Sequence, residues 1–152
     1  MAKLERSYNT FMMLKLPSAW ICGVRLKSMD GTTSVTSVKH RWMNQNPFKS
    51  MFWAVQGMAA EFATGALVIY HIRKSGKRIS MLVLNNKANF SKKATGRINF
   101  ICPDGDKLQQ AISRTIETGE GQTVWMQAIG KDQAGDVVST FDFEWTLKVK
   151  QN

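Results

Sequence analysis

The 152-residue chain has few cysteines, few prolines and, across its middle half, almost no acid. Two cysteines, Cys22 and Cys102, are too few to staple a small fold. Both lie in apolar, strand-like stretches, so they are expected to be reduced, buried thiols of a cytoplasmic protein. The chain has only three prolines and no low-complexity tract, internal repeat or linker, which argues for one domain over residues 1–152. It lacks a Gly-rich phosphate loop, and neither His40 nor His71 has a Cys or carboxylate at ligand spacing, so no metal and no cofactor are expected. The N-terminal stretch does not read as a secretory signal, because Lys3, Glu5, Arg6 and Lys15 are interleaved with its apolar residues. The shortage of acid is regional. Residues 31–103 hold eleven basic residues and one acid, Glu61, in a chain with a formal charge of +10.

What the chain does contain excludes disorder. It is 43% hydrophobic, with 8 Phe, 5 Trp and 9 Met, enough apolar surface to offset chain entropy. The longest apolar segment, Met51 to Ile72, carries Gln56, Glu61, Thr64 and His71. A charge at mid-span costs about 2.5 kcal/mol or more in a bilayer, so a buried helix is expected rather than a membrane span. Leu4, Tyr8, Phe11 and Met12 recur at helical spacing and predict an N-terminal helix ended by Pro17. Two β-prone stretches, Ile21 to Met29 and Thr32 to His40, are joined by the turn signal Asp30-Gly31. A polar loop, Arg41 to Lys49, leads to Ser50, expected to cap a helix running to about Arg73. Strands are expected at Ile79 to Phe90, Arg97 to Cys102, Gln122 to Ile129 and Val137 to Val149, with a helix from Asp104 to Glu117 inserted among them.

One stripe of the long helix differs from the rest. Gln56, Gly57, Ala60, Glu61 and Thr64 share a face and form a polar, small-residue seam. An unpaired carboxylate in apolar surroundings is expensive, so Glu61 needs either a partner or a chemical role, and both readings stay open. Gln56 and Thr64 either line a pocket or satisfy each other. The basic residues cluster as Arg73, Lys74, Lys77 and Arg78 and as Lys92, Lys93 and Arg97, groups that suit phosphates or a solvated surface equally. Charge alone also fits nucleic acid, but no recognition motif or aromatic platform accompanies it, so no nucleic-acid partner is expected.

A long buried helix between two short strands and a β-meander resembles the hotdog fold, an α+β arrangement in which an antiparallel sheet wraps the helix. The likeness is carried by Asn46-Pro47-Phe48-Lys49-Ser50 leading into Phe52 to Glu61, and by Asn89-Phe90-Ser91-Lys92-Lys93-Ala94-Thr95-Gly96-Arg97. The chain is similar to the small acyl-CoA thioesterases of the phenylacetate-pathway type, and closest to their uncharacterised branch, DUF4442, with a helix inserted after the fourth strand. In the characterised enzymes a loop Asn precedes a His-Gly-Gly at the helix start, and an acid follows nine residues after the His. Setting that acid on Glu61 places the Asn on Asn46, in agreement, and the His and first Gly on Phe52 and Trp53, which depart from the pattern.

The resemblance implies thioester hydrolysis on acyl-CoA or an acyl-carrier protein, with Glu61 as base or nucleophile and Asn46 beside it. Phe52, Trp53, Gln56 and Thr64 would bind substrate, and the helix N-terminus would polarise the carbonyl. Arg73, Lys74, Lys92, Lys93 and Arg97 would hold the phosphates of coenzyme A. A homodimer, or a dimer of such dimers, is implied, with the site between protomers. The alternative is a non-catalytic binder of acyl chains in the same tunnel.

Overall fold

The structure, a computed structural model, describes residues 3–151. Helix α1 (Lys3–Lys15) buries Tyr8 and Met12, and Pro17 both ends it and opens the short helix α2 (Pro17–Ile21), since a proline lacks only an N–H that a first helical turn does not use. The segment from Ile21, expected to be strand, therefore begins as helix, and strand β1 is confined to Arg25–Met29. Cys22 closes α2 half-buried rather than lying in a strand, whereas Cys102 is buried as expected; both are free thiols. Strand β2 (Ser34–Lys39) pairs with β1 across a turn in which Asp30 Oδ1 accepts from the N–H groups of Thr32 and Thr33 and from the Thr32 hydroxyl. Gly31 has φ +94 there, a conformation that favours glycine.

After a 3₁₀ turn at Trp42–Asn44, helix α3 spans Trp53–Ser75. It starts two residues later than a Ser50 cap would place it, and Ser50 is not its cap. Ser50 is buried, joined to Asn46, while the backbone of Phe52 caps the helix without a side-chain bond. Gly76, left-handed at φ 66, ends it. Strands β3 (Ile79–Phe90) and β4 (Arg97–Cys102), helix α4 (Gly105–Thr118), and strands β5 (Gln122–Lys131) and β6 (Val137–Val149) complete the fold.

All six strands form one antiparallel sheet in the order β1-β2-β4-β5-β6-β3. Its inner face curls around α3. Val38, Ile98, Phe100, Met126, Ala128 and Leu147 point inward onto Ala59, Ala63, Ala66, Leu67 and Val68 of the helix, all fully or nearly fully buried. Alanines on α3 allow close approach, and each large apolar side chain enclosed there contributes roughly 1.5–3 kcal/mol relative to exposure. The β1 edge is covered, because Asn9 of α1 bonds both the N–H and the carbonyl of Leu26 as a neighbouring strand would. The β3 edge is open, with Leu82 63% and Leu84 52% exposed. This is the hotdog arrangement, with α1–α2 and α4 as additions. Among the described residues, no helix is long and apolar enough to cross a membrane.

Candidate functional site

The polar seam of α3 does not act as one surface. Gln56 turns toward β6, where its Oε1 accepts from the fully buried Ser139 hydroxyl at 2.7 Å and its Nε2 donates to the Met51 carbonyl. Thr64 accepts a hydrogen bond from the Trp145 indole at 3.0 Å and donates to the Glu61 carbonyl. Both side chains therefore hold α3 against β6 and do not bond each other, and Thr64, fully buried, is not free to touch a ligand. The structure thus places Thr64, expected to bind substrate, in the packing between α3 and β6. Helical spacing located the seam but could not distinguish a polar group facing a strand from one facing a gap.

Glu61 faces the gap. It lines a groove of about 510 Å³ whose walls are α1–α2 (Phe11, Leu16, Ser18, Ala19), α3 (Met58, Phe62, Gly65, Ile69) and strands β3 and β6 (Met81, Leu82, Val83, Trp145). Contrary to the enclosed position expected for it, Glu61 is exposed in the single chain, because the sheet does not close over this face of the helix. It is the only charged residue in that lining. No hydrogen-bond donor or cation among the described residues reaches its carboxylate, and the apolar walls raise its pKa above the ordinary carboxylate range. At Gly65, in the groove lining, a Cβ would come into ordinary contact with the Trp145 ring at 3.4 Å.

Asn46 lies in a different place. It lines a second groove, of about 440 Å³, with Phe48, Phe52, Trp53, Gln56, Phe90, Lys93 and Ala94. Its Oδ1 accepts from the N–H groups of Phe48 and Ser50 and its Nδ2 donates to the Ser50 hydroxyl, so its polar atoms are engaged in shaping the loop. Phe52 and Trp53 stand exposed at this mouth. The N–H groups of Trp53 and Ala54 begin the helix with no acceptor among the described residues, as expected of a first turn. Glu61 lies eight residues further along the same helix, about 12 Å away at 1.5 Å per residue.

The five expected phosphate ligands do not converge. Arg73 and Lys74 occupy the last turn of α3, where Arg73 lies over the Tyr8 and Phe11 rings and Lys74 near the Tyr70 ring. Lys92, Lys93 and Arg97 are at the opposite end, about 30 Å away along the helix. Lys92 bonds Asp132 at 2.7 Å and Asp136 at 2.8 Å, which raises its pKa, so its charge is already matched within the chain. Arg97 bonds the Ser37 hydroxyl, and only Lys93 lines the Asn46 groove with its charge unpaired. Sequence reasoning missed the walls of the Glu61 groove. Phe11 and Trp145 read as core from their periodicity, and nothing in the pattern indicated that α1–α2 would stand off from α3.

One antiparallel sheet wrapped around a single long helix is the architecture of a hotdog protein. The chain belongs to the family called Domain of unknown function (DUF4442), whose model matches residues 5–147. Among solved structures it is similar to a protein of unknown function from Pseudomonas aeruginosa called a probable thioesterase, at 18% identity and TM-score 0.82, over 95% of this chain and 96% of that one. A candidate thioesterase from Shewanella oneidensis has 13% identity and TM-score 0.82, over 99% and 100%. A Haemophilus influenzae thioesterase has 10% identity and TM-score 0.73, over 98% and 93%. No curated protein matches the chain.

Proposed function

We propose that the protein hydrolyses a thioester, of coenzyme A or of a carrier protein, in a site formed between two copies of the chain. The observation that carries this reading is Glu61, a partnerless carboxylate of raised pKa in an otherwise apolar groove. A carboxylate so placed is a stronger base than one in water. It would take a proton from a water molecule as that water attacks the thioester carbonyl, and the carbon–sulfur bond would then break to release the acid and the thiol. The charge developing on the carbonyl oxygen needs donors about 3 Å away. The free N–H groups at the start of α3 suit that role but lie about 12 Å from Glu61 in the same chain. A second copy resolves the mismatch by setting its helix start against this Glu61. The open β3 edge with its exposed Leu82 and Leu84 is the surface through which two sheets would join. Two free thiols fit a cytoplasmic setting.

Phe52 and Trp53, exposed where the resembling enzymes carry His and Gly, favour a second reading, a binder that holds an acyl chain without cleaving it. Free-thiol release from short, long and aromatic acyl-CoAs by the purified protein, beside its Glu61→Gln variant, tests both. Turnover that vanishes in the variant supports hydrolysis. Tight acyl-CoA binding without thiol release supports the binder. Sedimentation at micromolar concentration tests the dimer, and a monomer that still turns over would remove the two-copy site.

A further inference from the structure

The outer face of the sheet, opposite α3, carries a concentration of cations that the candidate site does not use. Directly opposed residues on neighbouring antiparallel strands share a face. Arg25 of β1 opposes Ser37 of β2, Ser37 opposes Asn99 of β4, and Asn99 opposes Lys131 of β5; one step along, Lys39 opposes Arg97. Thr36, Val38, Ile98 and Phe100, the alternating positions, are the buried inner set. Arg25, Lys39, Arg97 and Lys131 therefore stand together outside, spread over about 14 Å at the usual strand spacing, and Arg41 joins them two residues beyond Lys39. None of the five has an acidic partner. The ion pairs among the described residues are Lys92 with Asp132 and Asp136, and Lys107 with Asp104.

The arginines are held in place. The Arg25 guanidinium lies 3.3 Å over the Trp20 ring and its Nη1 donates to the carbonyls of Trp20 and Val24. Arg41 packs over Gly23, and its turn is anchored by Asn44, which bonds the Arg41 N–H and the carbonyls of Cys22 and Lys39. Burial, and after it the charge of Arg41, lower the Arg25 pKa, so the two guanidiniums lie within electrostatic reach of each other. Like charges set side by side without an acid gain from an anion supplied from outside. Next to Arg41 in the chain, Trp42, at 81%, and Met43 are exposed apolar residues.

We infer that this face docks an acidic protein surface, that of the carrier delivering the thioester; the inference rests on the hydrolase reading. A small nucleotide would want a concave pocket, and this face is formed by strands. Nucleic acid is the other polyanion that such a face attracts, and it is one arm of the test below. Arginine with exposed Trp and Met is the composition of a protein interface. The patch also adjoins the start of α3 along the chain, since β2 ends at Lys39 and the chain then passes through Arg41 into the loop that carries Asn46.

The test uses the full chain and three probes: a recombinant acyl-carrier protein charged with an acyl group, the same acyl group on pantetheine alone, and a short DNA duplex. Lys39→Glu with Lys131→Glu, and separately Arg41→Glu, should weaken carrier-protein binding about tenfold or more, as should added salt, and leave hydrolysis of acyl-pantetheine unchanged. Unchanged carrier affinity, an equal loss on acyl-pantetheine, or tighter binding of DNA lost through the same reversals would each overturn the inference. Charge-dependent carrier binding without hydrolysis would sink the hydrolase reading and leave the docking surface standing. Hydrolysis of acyl-pantetheine with no carrier binding would do the reverse.

Discussion

Two grooves flank α3, and their polar residues behave in opposite ways. In the groove at the helix start, Asn46 has its side-chain oxygen and nitrogen engaged by Phe48 and Ser50, and that network shapes the loop. In the groove beside the helix middle, Glu61 has no partner and sits among apolar walls that raise its pKa. A polar group bonded within the chain explains itself as structure; a carboxylate left unpaired beside apolar walls is open to another role. Both fall on positions of the pattern in the resembling enzymes, and of the two only Glu61 has a side chain without a partner among the described residues.

The sharpest way to break the comparison is Glu61→Gln. Loss of general-base catalysis is expected to lower the hydrolysis rate about 10²–10⁴-fold and to leave the fold intact. Because the folded-state pKa is raised, the acid form is favoured by folding: its stabilising effect is full below the ordinary carboxylate pKa and is lost as pH rises through the raised value. Gln removes that loss, so the melting temperature at neutral pH should hold or rise. A sharp fall in melting temperature with the rate spared would instead make Glu61 a strut. The same shift predicts the pH profile, in which the rate falls as pH drops through a value above the normal carboxylate range.

Asn46→Ala should show the opposite balance. Removing it leaves the Ser50 N–H without its acceptor and the Phe48 N–H to solvent, and a loss of about 1 kcal/mol in stability is expected from denaturant unfolding, with any loss of rate following from the loosened loop. Thr64→Val should cost about as much, by leaving the buried Trp145 indole without an acceptor, and should not change substrate preference. A changed acyl preference would show that Thr64 reaches the groove. The smallest effect concerns thiols. Cys102, pushed up to about 12 by burial, should resist a thiol reagent at neutral pH in the native protein, while the half-exposed Cys22 is modified. Mass spectrometry of the labelled chain reads this directly.

Local chemistry alone determined much of this protein. Alternation in Phe141, Phe143, Trp145 and Leu147 marked β6 with the bounds the structure has, as did the apolar runs of β3 and β4, because a strand with one buried face must repeat every two residues. The long apolar helix with one acid was visible for the same kind of reason, and the wrapping fold was legible through the chain's resemblance to the hotdog proteins. Tertiary structure decided the rest. It decided that Gln56 and Thr64 meet Ser139 and Trp145, more than eighty residues away in the chain, and that Lys92 meets Asp132 and Asp136 instead of a phosphate. It also decided that α1–α2 leave a gap beside Glu61. Periodicity reports which side of an element a residue occupies. Whether that side meets a strand, a partner ion or open space depends on residues distant in sequence, and only the packed molecule brings them together.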